Sequence, residues 1–336
     1  SAASAVLLEA TTGTILYAHN EHVRRAPAST TKIMTALIAL ERGDLRSLVT
    51  VGPRAGATPG SSVGLQSGDR LSLGELLQGL MLSSGNDAGV AIAEHVAGSE
   101  EAFVRLMNIR ARDFGAFHTS FRNPHGLPAP GHYTTAFDLA LITRYALQNP
   151  AFARLVRTRE EELQWAAGER RLALANTNRL LWSFAGADGV KTGTTSEAGH
   201  CLVASATRDG RRLIAVVLRS ADRWRDAAAL LEYGFSGFHL VVLAEEGKSV
   251  AWVRVAGGRS ASVALVPRAR LAIVCPRGKE ELVRLHSSLP AEPVPAPIRP
   301  TQILGRLTVT YDGEEVEGVD LLPEEGVEKR KWWERG

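Results

Sequence analysis

The chain has 336 residues, 45% of them hydrophobic and 22% charged, and its formal net charge is +3 at pH 7. This composition is ordinary for a globular protein with a substantial core, and so small a net charge does not require a nucleic acid or an anionic membrane as a partner. No apolar run is long enough to predict a transmembrane helix, and two cysteines, Cys201 and Cys275, are too few for a disulfide framework or a metal cluster.

The first half of the chain predicts a hairpin followed by several helices. Residues 4–20, SAVLLEATTGTILYAHN, place two apolar runs around a Thr-Thr-Gly turn, which is typical of a β-hairpin. An apolar helix is predicted within 26–40, because apolar positions recur there at helical spacing. Further helices are predicted at 71–98, with a break at 83–87, and at 100–115 and 133–150. The last helix is expected to begin at a threonine cap and to end at Asn149 and Pro150.

The second half is richer in strands. Strands dominate from about 159 to 218, and after Gly237 short β-rich runs alternate with Gly and Pro turns. The proline-rich segment 289–300 is expected to be an extended connection. We therefore predict a mixed α/β domain over 1–237, with a mainly antiparallel sheet flanked by helices, and a small all-β, sandwich-like domain over 238–325.

The segment APASTTKIMTALIAL (26–40) places a lysine in the first turn of an otherwise apolar helix. Ser29 and Lys32 are one helical turn apart, so their side chains can leave the same face and meet. A lysine shielded from water binds its proton less tightly and can accept the serine proton, and the helix N-terminus favours negative charge on Ser29. The same spacing arises by chance, with Ser29 capping the helix and Lys32 in solvent, so the pair alone leaves both interpretations open.

Two further segments are ambiguous when taken singly. Ser-Gly-Asn at 84–86 lies between two predicted helices, where it can end one helix and cap the next. Lys-Thr-Gly at 191–193 leads into a predicted strand, where a glycine often marks the close approach of another backbone, such as an added peptide strand. Together with Ser29 and Lys32, in this order, they form the set found in β-lactamases and penicillin-binding proteins.

Longer segments extend the resemblance. The sequence is similar to the D-alanyl-D-alanine carboxypeptidases, the low-molecular-mass penicillin-binding serine peptidases, over 26–41, 80–99, 121–142 and 188–206. The β-rich tail resembles the C-terminal domain of their two-domain branch. The resemblance implies a penicillin-binding, β-lactamase-like fold, peptidoglycan stem peptides as substrates and β-lactam antibiotics as inhibitors. It also implies an extracytoplasmic place in the bacterial cell envelope, with no metal or organic cofactor and no nucleic acid.

The resemblance implies a role for each matching residue. Ser29 would attack the carbonyl between two D-alanines, Lys32 would be the general base for acylation, and Ser84 would relay a proton to the leaving D-alanine. Asn86 would hold the substrate amide. Lys191 would bias the electrostatic field around Ser84 and Lys32.

The strand segment would bind the end of the substrate. Thr192 would bind the terminal carboxylate, and Gly193 would leave room for the peptide. The backbone N–H groups of Ser29 and Thr194 would form the oxyanion hole. The family also places an arginine at the start of the helix that follows the last strand of the first domain, and Arg223 matches it best.

A few neighbouring residues are weaker candidates. Arg225 is the alternative to Arg223, and either arginine can instead be a solvated charge on a helix face. His125 and His132 are interpreted as loop structure. The segment 326–336 mixes charge with two tryptophans and is interpreted as the start of a membrane-anchoring tail, which would bring the chain to a membrane surface.

Three alternative functions share parts of this pattern. A β-lactamase would carry a Glu-x-x-Leu-Asn pattern before the third motif, whereas Glu162 is followed here by Leu-Gln-Trp, and the C-terminal domain is foreign to β-lactamases. A peptidoglycan DD-endopeptidase remains an alternative, although its nearest relatives lack a β-rich tail. Intact motif residues argue against a non-catalytic wall-binding protein.

Overall fold

The computed structural model describes residues 1–166, 168 and 170–331, which form two compact units, one ending at Phe235 and the other beginning at Ser236. The helices are α1 (Lys32–Arg42), α2 (Pro53–Gly56), α3 (Leu73–Met81), α4 (Asn86–Ala97), α5 (Glu100–Asp113), α6 (Ala136–Ala146), α7 (Pro150–Arg157), α8 (Leu180–Ser183) and α9 (Arg223–Gly237). The strands are β1 (Ser4–Glu9), β2 (Ile15–His19), β3 (Leu48–Thr50), β4 (Arg70–Ser72), β5 (Glu160–Gln164), β6 (Arg171–Ala175), β7 (Ala187–Thr195), β8 (Gly199–Arg208), β9 (Arg211–Ser220), β10 (Phe238–Ala244), β11 (Ala251–Ala256), β12 (Ser262–Pro267), β13 (Leu271–Pro276), β14 (Val283–Ser288), β15 (Val294–Pro295), β16 (Gly305–Tyr311) and β17 (Glu314–Pro323).

A five-stranded antiparallel sheet runs through the first unit in the order β2-β1-β9-β8-β7. The predicted hairpin at 4–20 is confirmed as β1 and β2, in which Leu7 pairs with Tyr17. β8 and β9 are longer and almost entirely buried, as expected for the inner strands of a covered sheet. β7 is an edge strand, so one side of its backbone is open to further pairing. The mixed α/β fold with a mainly antiparallel sheet is therefore confirmed.

The apolar helix α1 lies at the centre of the helical layer. Every residue from Lys32 to Ala39 is buried, and side chains of α3, α4 and α5 belong to the same apolar core. A helix apolar on most sides is stable only when neighbours surround it. The structure differs from the predicted single helix in one respect, because Ala28–Thr31 forms a separate 3₁₀ turn before α1.

The helix predicted at 133–150 is wrong at its C-terminal end. It begins as expected, with the Thr135 side chain accepting a hydrogen bond from the N–H of Asp138, but α6 ends at Ala146. Asn149 does not close this helix. Its side chain accepts hydrogen bonds from the N–H groups of Ala151 and Phe152, so it caps α7, which the sequence analysis did not predict. Asn-Pro suits a helix start as well as a helix end, because Pro is favoured in the first turn.

The second unit consists mainly of strands. β10 pairs with β13, and the other strands form one sheet in the order β14-β16-β17-β12-β11-β15. Ala244 of β10, Ile273 of β13 and Leu265 of β12 belong to one apolar core, which confirms the sandwich-like prediction. The proline-rich segment 289–300 contains the two-residue β15 at the sheet edge.

The C-terminal tail predicted at 326–336 lies partly outside the described residues, which end at 331. Within the part of the chain that the structure describes, no helix is both long and apolar enough to cross a membrane.

Replacing Asn149 tests the cap of α7. Asn149→Ala removes the acceptor for the N–H groups of Ala151 and Phe152, and we expect the free energy of unfolding to fall by about 1 kcal/mol. Asn149→Ser keeps an accepting oxygen and should lose less. Denaturant titration of the two variants measures the difference, and an equal loss in both would contradict the capping role.

Candidate active site

Ser29 lies in the 3₁₀ turn that leads into α1. The hydroxyl of Thr30 donates to the carbonyl of Pro27 at 2.6 Å and helps to hold this turn. Thr31, rather than Ser29, immediately precedes α1, and no side-chain hydrogen bond caps either the turn or the helix. The interpretation of Ser29 as a helix cap is therefore wrong. Its side chain is half-buried on the surface of the turn.

The amine of Lys32 is buried and has three close neighbours. Its Nζ lies 2.9 Å from Ser29 Oγ, 2.7 Å from Asn86 Oδ1 and 2.8 Å from the backbone carbonyl oxygen of His125. The whole residue is 0% exposed. The interpretation with Lys32 extended into solvent is therefore also wrong, and the serine and lysine side chains meet.

The surroundings of Lys32 favour its neutral form. Burial lowers the pKa of its amine well below the ordinary value, the Lys191 cation lowers it further, and the Asp87 carboxylate raises it. Asp87 lies in the first turn of α4, where it accepts hydrogen bonds from the N–H groups of Val63 and Leu65. A neutral lysine beside a hydroxyl can accept its proton, which is the usual way to activate a serine nucleophile.

Ser84 and Asn86 lie between α3 and α4. Ser84 has a positive φ of 64°, and its buried hydroxyl hydrogen-bonds to no group among the described residues. Asn86 begins α4, and its Nδ2 donates to the carbonyl of Pro59 at 2.8 Å, which directs Oδ1 toward Lys32. The structure brings Asn86 into the hydrogen bonds around Lys32 but does not connect Ser84 to them.

Lys191 and Thr192 lie side by side on β7. Lys191 is buried, its Nζ donates to the carbonyl of Thr192 at 3.1 Å, and burial together with the Arg223 cation lowers its pKa to about 7. The hydroxyl of Thr192 lies 2.7 Å from that of Thr177. Thr177 was not predicted as part of the site, because a single threonine carries no recognisable signal in the sequence.

Gly193 allows β7 to pack closely on the Ser29 turn. A Cβ at this position would lie 3.0 Å from the backbone nitrogen of Ser29 and 3.0 Å from the Cβ of Ala28. The absence of a side chain at Gly193 therefore sets the distance between the edge strand and the serine.

Arg223 lies against the same strand. Its Nη1 donates to the carbonyl of Gly193 at 3.0 Å and to the hydroxyl of Thr194 at 2.8 Å. Its guanidinium also lies over the ring of Trp224, 4.8 Å from the centroid. Arg225 is exposed. Of the two candidate arginines, Arg223 contacts the predicted site.

The two loop histidines contribute more than loop structure. The His125 carbonyl accepts from Lys32, and His132 Nε2 lies 3.0 Å from the hydroxyl of Thr31. Burial is the main cause that lowers the pKa of His132 to about 4 and that of His125 to about 3. No sequence signal could identify the His125 carbonyl as a partner of Lys32, because every residue has a carbonyl.

Ser29 and the buried Lys32 meet at the start of α1, between a Ser-Gly-Asn loop and a Lys-Thr-Gly edge strand. This arrangement defines a serine enzyme of the β-lactamase and penicillin-binding class. Among the described residues, no group of three or more His, Cys, Asp or Glu side chains is arranged to hold a metal ion.

Residues 1–222 match the family model for D-alanyl-D-alanine carboxypeptidase, and residues 238–329 match that for the C-terminal domain of penicillin-binding protein 5. The chain belongs to the D-alanyl-D-alanine carboxypeptidase family and is a serine-type carboxypeptidase.

Individual relatives agree with this assignment. D-alanyl-D-alanine carboxypeptidase DacF of Bacillus subtilis is 36% identical, over 98% of this chain and 86% of that protein. DacC of Escherichia coli, which carries the same enzyme name, is 35% identical over 96% of this chain and 84% of that protein. The crystal structure of penicillin binding protein 5 from Haemophilus influenzae aligns with a TM-score of 0.84 and 32% identity, over 98% of both chains. A Streptomyces DD-transpeptidase mutant aligns with a TM-score of 0.67 and 36% identity, over 70% of this chain and 97% of that chain.

Replacing Gly193 by alanine tests the packing of β7 on the serine turn. The added Cβ, 3.0 Å from Ser29 N, requires the strand or the turn to shift. Because small displacements of reacting groups can cost about 10²-fold, we expect acylation by a penicillin to slow by about 10- to 100-fold. Gly237→Ala, whose Cβ would meet no atom within 4 Å, is the control. Wild-type acylation by Gly193→Ala would show that the close approach is not needed.

Proposed function

We propose that this carboxypeptidase removes the terminal D-alanine of peptidoglycan pentapeptides through an acyl-enzyme on Ser29, and that β-lactams inhibit it by acylating the same serine. The observation that carries the proposal is the 2.9 Å separation of Ser29 Oγ from the buried Nζ of Lys32. The names of the relatives, which are carboxypeptidases for D-alanyl-D-alanine and penicillin-binding proteins, support both the substrate and the inhibitor.

The hydrogen-bond donors and acceptors around Lys32 support its role as the base. A neutral amine has two N–H groups and one lone pair. Asn86 Oδ1 and the His125 carbonyl can only accept, so together they take both N–H groups. The lone pair is then left for Ser29, whose hydroxyl donates to it.

The reaction follows from this arrangement. Ser29 Oγ attacks the carbonyl carbon between the two D-alanines and its proton passes to Lys32, while the backbone N–H groups of Ser29 and Thr194 bind the developing oxyanion. One such donor is typically worth about 3 kcal/mol. The C–N bond then breaks, and Ser84 passes the proton that Lys32 accepted to the leaving nitrogen. The buried Ser84 hydroxyl has no hydrogen-bond partner among the described residues and is available for this relay. Water hydrolyses the ester and restores Ser29.

Four side chains recognise the substrate in this proposal. Thr192 and Arg223 bind the terminal carboxylate, and Lys191 adds positive charge beside them. Asn86 holds the substrate amide, and the peptide lies along the edge of β7, which Gly193 allows to approach the Ser29 turn. The contact of Arg223 with Gly193 and Thr194 supports a place for it beside that edge.

The cellular site is inferred from the substrate. An enzyme of peptidoglycan peptides works outside the cytoplasm, so we propose that this chain acts in the bacterial cell envelope. We also propose that the segment beginning near 326 leads into a tail that binds the membrane surface, as its mixture of charges with two tryptophans indicates.

Mass spectrometry after incubation with a penicillin tests the nucleophile and the base. The adduct should map to Ser29, and Ser29→Ala should not be labelled. Lys32→Arg places a permanently protonated group at this position, which cannot act as a base, so we expect its acylation rate to fall by about 10²–10⁴-fold. An adduct on another residue, or acylation of Lys32→Arg within a few-fold of wild type, would refute these assignments.

Release of D-alanine from a pentapeptide, compared with release from the same peptide with a C-terminal amide, separates carboxypeptidase from endopeptidase action. A carboxypeptidase should cleave only the peptide with the free C-terminus.

The pH dependence of acylation tests the charge on Lys32. Acylation requires the neutral amine, so its rate rises as the pH increases through the pKa of Lys32. The Asp87 carboxylate raises that pKa, so Asp87→Asn should move the rising part of the profile to lower pH. Asp138→Asn is the control, because Asp138 is also a buried carboxylate in the first turn of a helix, but it binds the N–H of His118 and the hydroxyl of Thr119. A profile that does not move in Asp87→Asn contradicts the assignment.

A further inference from the structure

One side chain holds the loop at 123–127 together. Asn123 is buried, with 7% of its surface exposed. Its Oδ1 accepts from the backbone N–H groups of Gly126 at 2.7 Å and His125 at 3.3 Å. Its Nδ2 donates to the carbonyl of Leu127 at 2.9 Å. The amide group of Asn123 therefore binds the backbone of its own loop.

The same loop touches both the nucleophile and its base. The carbonyl of His125 accepts from Lys32 Nζ at 2.8 Å. Gly126, at a φ of +94°, lies against the serine turn, where a Cβ would stand 1.9 Å from the carbonyl oxygen of Ala28 and 2.9 Å from the nitrogen of Ser29. Any displacement of this loop would move groups that contact Ser29 and Lys32.

The geometry of one peptide unit links Asn123 to Lys32. The His125 carbonyl and the Gly126 N–H belong to the same planar peptide bond, in which the two groups of a trans unit point in opposite directions. A hydrogen bond that fixes the N–H therefore also fixes the carbonyl. Asn123 accepts from one side of this unit, and Lys32 donates to the other.

We propose that Asn123 is a positioning residue for acylation. It orients the His125 carbonyl, which takes one N–H of neutral Lys32 and so leaves the lone pair directed at Ser29. The inference rests on the proposed role of Lys32 as the base. The second acceptor, Asn86, is oriented separately through Pro59, so the loss of Asn123 removes one of the two restraints on the amine.

The test compares Asn123→Ala with a matched variant, Asn108→Ala, in the full chain. Asn108 holds the backbone of Phe121 in the same way, with its Oδ1 accepting from the N–H at 2.8 Å and its Nδ2 donating to the carbonyl at 3.0 Å, but its hydrogen bonds reach no residue of the site. Stopped-flow acylation with a fluorescent penicillin separates initial binding from the acylation rate constant, and thermal unfolding measures stability.

We expect Asn123→Ala to lower the acylation rate constant by about 10²-fold, with initial binding unchanged, because a small misplacement of a catalytic group costs this much. Asn108→Ala should lose stability but acylate like wild type. Asn123→Asp keeps an acceptor for the Gly126 N–H and should recover most of the rate on the high-pH plateau, where a rise in the pKa of Lys32 caused by the added charge no longer limits acylation, although it loses the donor to Leu127. A purely structural role would not produce this recovery.

Three results would overturn the inference: wild-type acylation by Asn123→Ala, an equal loss of rate in Asn108→Ala, or no recovery in Asn123→Asp. If Asn123→Ala does not fold, Asn123→Ser, which is too short to keep the same acceptor position, takes its place. A fast Lys32→Arg variant would instead refute the proposed base, whatever Asn123→Ala does, so the two failures are distinguishable.

Discussion

The burial of the Lys32 amine is the constraint on which the rest of the site depends. A protonated lysine without a carboxylate partner is costly to bury, and a neutral one is costly unless its polar hydrogens find acceptors. This chain meets the requirement with one side-chain oxygen, from Asn86, and one backbone carbonyl, from His125. Much of the surrounding core is apolar, with side chains of α1, α3, α4 and α5 in one cluster, and the amine is buried. Burial therefore lowers the pKa of this lysine and favours a neutral form that water does not favour.

The second constraint is the approach of β7 to the serine turn. Gly193 permits the contact, and Arg223 is bonded to both Gly193 and Thr194 on the same strand. Lys191 and Arg223 place two cations along this edge, and their repulsion contributes to the low pKa of Lys191. Under the proposed function, the carboxylate of an incoming peptide would relieve this repulsion, which favours a free C-terminus over an uncharged one.

Sequence patterns were sufficient for the parts of the fold that depend on local chemistry. The hairpin of β1 and β2 follows from alternation around a turn, and the break between α3 and α4 follows from a cluster of small and polar residues. The patterns failed where one local signal serves two purposes. Asn149 and Pro150 suit the end of one helix as well as the start of the next, and here they begin α7. Ser29 suits a helix cap, yet it lies inside a 3₁₀ turn.

By itself, the sequence determined which chemical groups are present and in what order: a serine one turn before a lysine, a Ser-Gly-Asn loop and a Lys-Thr-Gly strand. Tertiary structure alone decided the state of those groups. Lys32 is separated from Asn86 by 54 positions and from His125 by 93, and no local pattern specifies contacts at such distances. The type of a residue also does not predict that its backbone carbonyl will accept a hydrogen bond from an amine, because all residues share the same backbone. Burial, which lowers the pKa of Lys32, is a property of the packed core rather than of the segment that contains it.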